Sequence, residues 1–519
     1  MAERKYPIGI QTFEKVRSEG YAYVDKTSQI YRLTHGNSVY HFLSRPRRFG
    51  KSLLISTLAS YFSGRRELFE GLAISKLEQE WKTYPVLHLD LTGVNYHKPD
   101  ALENTLNLSL YRWEKVYGRV EAEKELGDRL MGVIQRANEQ TGQKAVLLVD
   151  EYEKPILDTL DDEVLQERHR QTLNGFYGGI KQSDPYLKFV LLTGVTKIGK
   201  LSVFSALNNI TDMSLMQEYA DICGVTEDEL ETNFHDDIQA MADYQKKSYQ
   251  EMHAELKREY NGYHFCEEMT HSVYNPYSLL NALARKRIQH YWYETGTPTF
   301  LVQLLKTHRP NIDKLAGSTI ERDSLSLINS FKSNPLPIIY QSGYLTISGY
   351  NSRFDRYTMD YPNAEVKEGF LKGLLPLSVG ERNSTEFDIS AFVLDIEAGN
   401  TDDFFERMGA LLSGVPYEIK LDYEVHFQNF IYLLFTLMGF YTNVEYHTAR
   451  GRADVVIKTD DYIYVMELKR DSSAEDAMKQ IHEKGYAHPF KLDGRKLILV
   501  GVNFASDMSG LDGVLVEEG

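Results

Sequence analysis

The stretch that decides the fold is Val39-Tyr40-His41-Phe42-Leu43-Ser44-Arg45-Pro46-Arg47-Arg48-Phe49-Gly50-Lys51-Ser52-Leu53-Leu54. An apolar run is followed by a turn rich in cations and by Gly-Lys-Ser at the start of an apolar-periodic segment. This order predicts a strand, a phosphate-binding loop and a helix, because backbone N–H groups at a helix N-terminus can cradle phosphates. Lys51 would reach the β and γ phosphate oxygens, and the Ser52 hydroxyl would bind Mg2+.

A second apolar run, at 145–149, ends in the carboxylates of Asp150 and Glu151. It predicts a buried strand of a parallel sheet. Asp150 would hold hydrated Mg2+, and Glu151 would orient and polarise an attacking water. Thr193 follows the run 189–192 and is placed to sense a γ-phosphate, although threonine at a strand end is usually a turn former. An acidic pair after a strand is most often a solvated turn, but together with the loop it favours a nucleotide site.

Short apolar runs alternate with helical segments as far as about residue 224, which predicts a parallel sheet with helices on its faces. The run 86–91 is a further strand between the loop and the acidic pair. Residues 225–295 are charged and helical in period, which predicts a helical lid. Residues 296–388 predict a helical and mixed connector, and residues 389–519 a compact α/β domain. The predicted fold class is therefore multidomain α/β.

The string from Arg45 to Ser52 resembles the AAA-ATPase-like family that is often fused to a nuclease domain, and four more motifs share the resemblance. They are Val149-Asp150-Glu151-Tyr152, Thr193-Gly194-Val195, Tyr260-Asn261-Gly262-Tyr263 and Tyr274-Asn275-Pro276. The resemblance covers roughly residues 5 to 290. In that family Arg stands where the first glycine of the loop would be, so Arg45 is expected.

This resemblance implies that the chain binds ATP and Mg2+, and self-association through the ATPase domain is left open. The residues implied in ATP binding are Arg45, Arg47, Arg48, Phe49, Gly50, Lys51, Ser52, Leu53, Asp150 and Thr193. Whether ATP is hydrolysed rapidly or serves only as a switch stays open.

In the C-terminal part, Gly451-Arg452-Ala453-Asp454-Val455-Val456-Ile457 is followed by Met466-Glu467-Leu468-Lys469. A strand alternates its faces, so Glu467 and Lys469 share one face and Leu468 takes the other. An adjacent antiparallel strand would bring Asp454 beside them. Taken alone, a Glu and Lys two positions apart is a common surface pattern.

Two carboxylates and a lysine at strand ends can cut a phosphodiester bond. Asp454 and Glu467 would bind one or two Mg2+ ions, with Mn2+ as an alternative, and Lys469 would position the nucleophile or offset charge in the transition state. The carbonyl of Leu468 is a further possible metal ligand. Glu424, on the preceding amphipathic segment, would supply another carboxylate, or is a plain helix-surface charge.

The order helix, three strands, helix, with Asp, Glu-x-Lys and Gln-x5-Tyr, resembles the PD-(D/E)XK nuclease superfamily over roughly residues 390 to 505. The resemblance implies that Gln480 acts beside Asp454, Glu467 and Lys469, with Tyr486 on the same helix. Arg452 would aid phosphate binding.

Composition restricts the classes of function. The chain has 519 residues and a formal net charge of -16, which argues against a protein that coats nucleic acid by bulk electrostatics. Its 2 cysteines are too few for a disulfide framework. The apolar run 430–440 is about half of the ~20 residues that span a bilayer. These features predict a cytoplasmic protein without membrane association.

The leading hypothesis is an ATP-regulated nuclease acting on nucleic acid, with DNA favoured over RNA. The second is a nucleotide-driven switch whose nuclease-like domain binds nucleic acid without cutting it. They differ at Asp454, Glu467 and Lys469, because a binding-only relic would usually have lost a member of this set. A translocating helicase-nuclease is a minor third alternative, because no second motor motif is present.

Overall fold

The computed structural model describes most of the chain. The residues it describes are 4–198, 210–269, 271–293, 301, 305, 311–326, 334–379, 388–413, 423–447, 453–505 and 510–519, with the backbone alone at 375–379 and 423–427. The chain divides into two compact units, one of Met1–His308 with Ala316–Lys367 and one of Arg309–Leu315 with Glu368–Gly519. The finer division into four parts stays a prediction.

A five-stranded parallel sheet forms the centre of the first unit, which confirms the predicted α/β class. Its strands are β1 (Tyr40–Ser44), β2 (Val86–Asp90), β3 (Ala145–Asp150), β4 (Leu187–Gly194) and β5 (Thr211–Asp212). The order is β2-β3-β4-β1-β5. Because β4 lies between β1 and β3, the loop after β1 and the polar residues that end β3 and β4 meet at one edge of the sheet.

Two helices precede β1, and helices alternate with the strands from β1 to β4, as the alternating pattern predicts. They are α1 (Phe13–Ser18), α2 (Thr27–Thr34), α3 (Lys51–Phe62), α4 (Ile74–Leu77), α5 (Ala101–Tyr117), α6 (Leu126–Thr141), α7 (Lys154–Leu157) and α8 (Glu163–Gln182). Every residue of β3 is buried, as a strand covered on both faces requires.

Three helices follow the sheet: α9 (Glu227–Gln245), α10 (Tyr249–Tyr260) and α11 (Pro276–Arg285). Capping boxes begin α9 at Thr226 and α10 at Ser248, which satisfies N–H groups that the first turn leaves unpaired. Their buried apolar side chains form one core cluster. The predicted helical character of this region is confirmed. A short pair of strands, β6 (Val225–Thr226) and β7 (Val273–Tyr274), was not expected there.

The predicted connector is helical and partly β. It contains α12 (Arg322–Ser326), α13 (Leu336–Gln341), and an antiparallel sheet of β8 (Thr319–Glu321), β9 (Thr346–Asn351) and β10 (Arg356–Asp360) in the order β8-β10-β9. Helix α14 (Ala364–Val379) follows. Its first residues belong to the first unit, and those from Glu368 onward belong to the second.

The second unit contains helices beside one mixed sheet. The helices are α15 (Ile389–Ala398), α16 (Thr401–Ser413), α17 (Tyr423–Met438) and α18 (Ala474–Lys484), and the strands are β11 (Asn443–Tyr446), β12 (Val455–Lys458), β13 (Tyr462–Arg470), β14 (Lys496–Phe504) and β15 (Leu511–Glu518). Among the described strands of this sheet, β13 and β14 pair in parallel and the other pairs are antiparallel. None of the helices in the described ranges is both long and apolar enough to cross a bilayer.

Candidate functional site

The loop between β1 and α3 wraps around the side chain of Lys51. Its Nζ donates hydrogen bonds to the carbonyl oxygens of Arg45 at 2.9 Å and Pro46 at 3.1 Å, and the residue is 5% exposed. Arg48 and Gly50 have φ of 68° and 97°, in the left-handed region, so the chain turns sharply before α3 begins at Lys51. The ammonium therefore lies inside the turn, next to the N-terminus of α3.

The side chain of Arg45 is directed into the interior. It is 1% exposed, and its guanidinium lies 4.1 Å from the centre of the Phe265 ring. Its donors reach the carbonyl oxygens of Ser44, Ser214, Tyr219 and Ala220. The terminal nitrogens of Arg45 therefore satisfy backbone carbonyls, and a role of this residue in ATP binding stays a prediction.

The other loop residues differ in exposure. Phe49 is buried and its ring packs edge-on against Tyr263 at 4.7 Å, so this side chain anchors the loop. Arg48 is exposed, with its guanidinium 4.5 Å above the ring of Tyr277. Arg47, Ser52 and Leu53 are partly buried. The N-terminal end of α3 thus keeps partly accessible backbone and hydroxyl groups.

Asp150 and Thr193 lie together at the ends of β3 and β4. The Thr193 hydroxyl donates to Asp150 Oδ1 at 2.6 Å, and both side chains are buried. Glu151 is only partly buried, and its φ of 50° places a non-glycine residue in the left-handed region. Such conformations concentrate at sites where the surrounding structure holds the residue in place.

Glu153 was not singled out from the sequence, yet it is the most deeply buried carboxyl near this edge. Its Oε1 accepts hydrogen bonds from the backbone N–H groups of Val195 at 2.5 Å and Thr196 at 2.9 Å, while Oε2 is buried with no hydrogen-bond partner. Burial raises the pKa of Glu153 to about 7. The carboxyl fixes the segment that follows β4.

A cavity of about 110 Å³ lies beside the loop. Its walls come from residues 22–24, from Gly50, Leu53 and Leu54, and from residues 222–225, and they are mostly apolar. Lys26, on the wall, donates a 2.6 Å hydrogen bond to Glu229 of α9. The sequence analysis missed this cavity, because its walls are far apart along the chain.

In the second unit, β12 and β13 pair antiparallel, with Val455 opposite Met466. This register places Asp454 next to Glu467, and Asp454 Oδ2 accepts a 2.9 Å hydrogen bond from the backbone N–H of Leu468. The backbone N–H of Leu468 therefore holds the Asp454 carboxylate in position beside Glu467.

Lys469 completes this cluster. Its Nζ donates at 2.8 Å to Glu467 Oε1 and at 2.8 Å to Gln480 Oε1 of α18. The Gln480 amide also donates to Glu467, and it lies 3.4 Å from the Tyr486 hydroxyl. The structure thus brings together five residues that the sequence analysis selected: Asp454, Glu467, Leu468, Lys469 and Gln480. Arg452 and the side chain of Glu424 lie outside the described residues.

The electrostatics of the cluster suit a cation. Glu467 is 2% exposed and its Oε2 is buried with no hydrogen-bond partner. Burial raises the pKa of Glu467, and the neighbouring Asp454 raises it further. Burial also raises the pKa of Asp454. Oxygen ligands in this state fit a hard divalent ion, which would stabilise both charged forms. Within the described residues, no three His, Cys, Asp or Glu side chains form a ready metal cluster.

Two family models match the chain. The model described as a predicted AAA-ATPase matches residues 7–204, and the model described as the PD-(D/E)XK nuclease superfamily matches residues 422–510. A protein of Azotobacter chroococcum mcd 1, named "Uncharacterized protein in vnfD 5'region", is 32% identical over 540 residues, covering 100% of this chain and 99% of that protein. The matched ranges contain the loop with Asp150 and Thr193, and the cluster from Asp454 to Gln480.

Proposed function

The chain belongs to a family that joins an AAA-ATPase-like domain to a PD-(D/E)XK nuclease superfamily domain, and from that premise we propose that it hydrolyses ATP and cleaves nucleic acid. The observation that carries the proposal is the convergence of Asp454, Glu467 and Lys469, with an unpartnered carboxylate oxygen at its centre. If these three residues served only to pack β13 against its neighbours, two carboxylates and a lysine would not need to converge.

In the first unit, Lys51 would exchange its bonds to the Arg45 and Pro46 carbonyls for phosphate oxygens. Ser52 and Asp150 would hold Mg2+, which neutralises charge on the phosphates when it is bound. Glu151 would orient the attacking water. Thr193 acts through Asp150, because its hydroxyl is already donated to that carboxylate.

The cavity beside Gly50 and Leu53 would take the base of the nucleotide. Its walls are mostly apolar and adjoin the loop, so a planar ring bound there would leave its phosphates at the start of α3. The wall residues at 22–24 and 222–225 would exclude water from the ring.

In the second unit, Asp454 and Glu467 would hold one or two Mg2+ ions, with Mn2+ as a substitute, and the Leu468 carbonyl would be a further ligand. Bound metal supplies an activated water and neutralises the leaving oxygen. Lys469 would stabilise charge on the phosphate in the transition state. Gln480 keeps both Lys469 and Glu467 in position through its amide.

We further propose that the state of the nucleotide controls cleavage and that the protein acts in the cytoplasm, on DNA in preference to RNA. The support for control is that both clusters lie in one chain. We also propose that the chain self-associates through the ATPase-like domain.

The test uses the purified full chain with single- and double-stranded DNA and RNA, with and without Mg2+ and ATP. We expect Mg2+-dependent products from DNA, and nucleotide binding that Lys51→Ala weakens while Lys98→Ala, at an exposed position, does not. Cleavage rates measured with ATP, ADP and a non-hydrolysable analogue show whether the nucleotide controls cleavage. If the chain binds nucleic acid but does not cleave it in the presence of any divalent metal, the proposed nuclease activity is contradicted and the nucleotide-driven switch is supported. Equal cleavage rates with ATP, ADP and the analogue would contradict control of cleavage by the nucleotide.

A further inference from the structure

One tryptophan connects the phosphate-binding loop to the first turn of α14. The indole Nε1–H of Trp292 donates to the carbonyl oxygen of Arg47 at 3.0 Å. Its backbone N–H donates to Glu365 Oε1 at 2.7 Å. Trp292 is 5% exposed and Glu365 is fully buried. A single buried residue therefore contacts both the loop and α14.

The motif Tyr260-Asn261-Gly262-Tyr263 provides a second connection between the same two places. At the loop end, Tyr263 packs against the ring of Phe49. At the α14 end, Gly262 has a φ of 103°, and a Cβ added there would lie 1.9 Å from the Pro362 carbonyl oxygen. Asn363 donates from Nδ2 to the Asn261 carbonyl oxygen at 3.0 Å. The motif thus fills the space between the loop and the residues that precede α14.

The start of α14 is tightly fixed by these partners. Asn363 Oδ1 accepts the backbone N–H of Val366 at 3.0 Å, which caps the helix. Burial raises the pKa of Glu365 to about 8, and the Ser278 side chain and the Trp292 N–H partly offset that effect. A fully buried carboxyl that accepts a 2.7 Å hydrogen bond from the Trp292 N–H has few alternative positions, so a displacement of Trp292 would be passed to Glu365.

We propose that Trp292 and Glu365, together with residues 260–263, transmit the state of the phosphate-binding loop to the N-terminal turn of α14. The inference rests on the proposed binding of ATP, because the carbonyls that Lys51 holds, those of Arg45 and Pro46, lie directly before Arg47. When phosphate replaces those carbonyls as the partner of Lys51, the backbone at Arg47 rearranges. Trp292 and Glu365 are positioning residues and do not touch the nucleotide.

The test is hydrogen exchange of the full chain with and without a non-hydrolysable ATP analogue, followed over peptides that cover residues 362–368. We expect the analogue to change exchange there by about fivefold, the equivalent of one hydrogen bond. Trp292→Phe keeps an aromatic ring and the backbone N–H but removes the indole donor, and should reduce this change to less than half. Trp113→Phe, on α5, is the matched control and should leave it intact.

Glu365 is tested by a conservative pair of variants. Glu365→Gln keeps the Oε1 acceptor for the Trp292 N–H and should keep the response, whereas Glu365→Leu should lose it. Analogue affinity is measured in the same samples. An analogue that fails to bind the wild-type chain contradicts the proposed ATP site itself. Binding with unchanged exchange at 362–368 in the wild type, or an undiminished response in Trp292→Phe, overturns the link and leaves the ATP site standing. The wild-type result decides even if a variant does not fold.

Discussion

The hydroxyl of Thr193 donates a 2.6 Å hydrogen bond to Oδ1 of Asp150 across the pairing of β4 with β3. Asp150 Oδ1 also accepts the backbone N–H of Glu151 at 3.1 Å. Thr193 is fully buried, so it acts on the carboxylate and not on a ligand in solvent. Asp150 is consequently held in one orientation, with Oδ2 remaining for a metal or its water.

Thr193→Val should slow Mg2+-dependent ATP hydrolysis by about tenfold or more, because a hydrogen bond to a charged group contributes about 1.5–3 kcal/mol. Valine fills nearly the same volume but leaves the buried carboxylate without this donor. Turnover measured against Mg2+ concentration should show a weaker apparent Mg2+ affinity. Thr193→Ser, which restores the hydroxyl, should recover most of the rate, and equal losses in both variants would argue against this role.

Glu151→Gln should keep ATP bound and reduce hydrolysis by about a hundredfold, the lower end of what a positioned general base supplies. The amide cannot accept a proton from water, whereas Asp150 and Lys51 are unchanged. Equilibrium binding and single-turnover hydrolysis measure the two effects separately. A variant that no longer binds ATP would show that the roles of Asp150 and Glu151 have been assigned wrongly.

Asp454→Ala and Glu467→Ala should abolish Mg2+-dependent cleavage and leave ATP hydrolysis largely intact, because the two clusters lie in separate compact units. Lys469→Ala should lose cleavage by about a hundredfold or more while retaining metal affinity, since lysine is not a ligand. Calorimetric titration with Mg2+ or Mn2+ measures whether each variant still binds the metal. Lys479→Ala, at an exposed position of α18, is the control, and a loss of metal binding in Lys469→Ala equal to that in Asp454→Ala would contradict the assignment.

Glu153→Gln should flatten the dependence of stability on pH. The pKa of Glu153 is about 7 in the folded chain, above its ordinary value, so the folded state holds more protons than the unfolded state between these values. Its stabilising contribution is present in full below the ordinary pKa and is lost as pH rises through 7. Melting followed from pH 5 to pH 8 should show a decline of Tm smaller by a few degrees in the variant. Parallel curves would contradict the raised pKa.

The sequence predicted the strands that carry the first site with errors of one or two residues at their ends. The strand at 145–149 is observed as β3, because a continuous apolar run bounded by polar residues identifies a buried parallel strand. The run 86–91 is observed as β2, in which buried leucines alternate with the exposed His88 and Asp90. In the second unit, the strand that carries Glu467 and Lys469 is observed as β13 and ends at Arg470, and β15 was not predicted at all. Strand period alone was enough to place Glu467 and Lys469 on one face.

What the sequence did not reveal depends on contacts between distant segments. Arg45 was assigned to the ATP site by resemblance, and the carbonyl partners of its buried side chain at 214, 219 and 220 are visible only after folding. Glu153 is held by the backbone N–H groups of Val195 and Thr196, which directly follow β4 and lie more than forty residues away along the chain. The cavity beside the loop likewise needs three separated segments. Trp292 carried no local pattern that would mark it.

The left-handed conformation of Glu151 implies a compromise between durability and turnover. A residue other than glycine destabilises the folded state by about 1–2 kcal/mol when it adopts that conformation. Glycine at this position would remove the cost, so Glu151→Gly should resist denaturation better than the wild type while losing the carboxylate that we propose for hydrolysis. Glutamate at this position thus lowers the stability of the folded chain relative to glycine. Selection for thermally stable variants would be expected to yield glycine here, at the expense of ATP turnover.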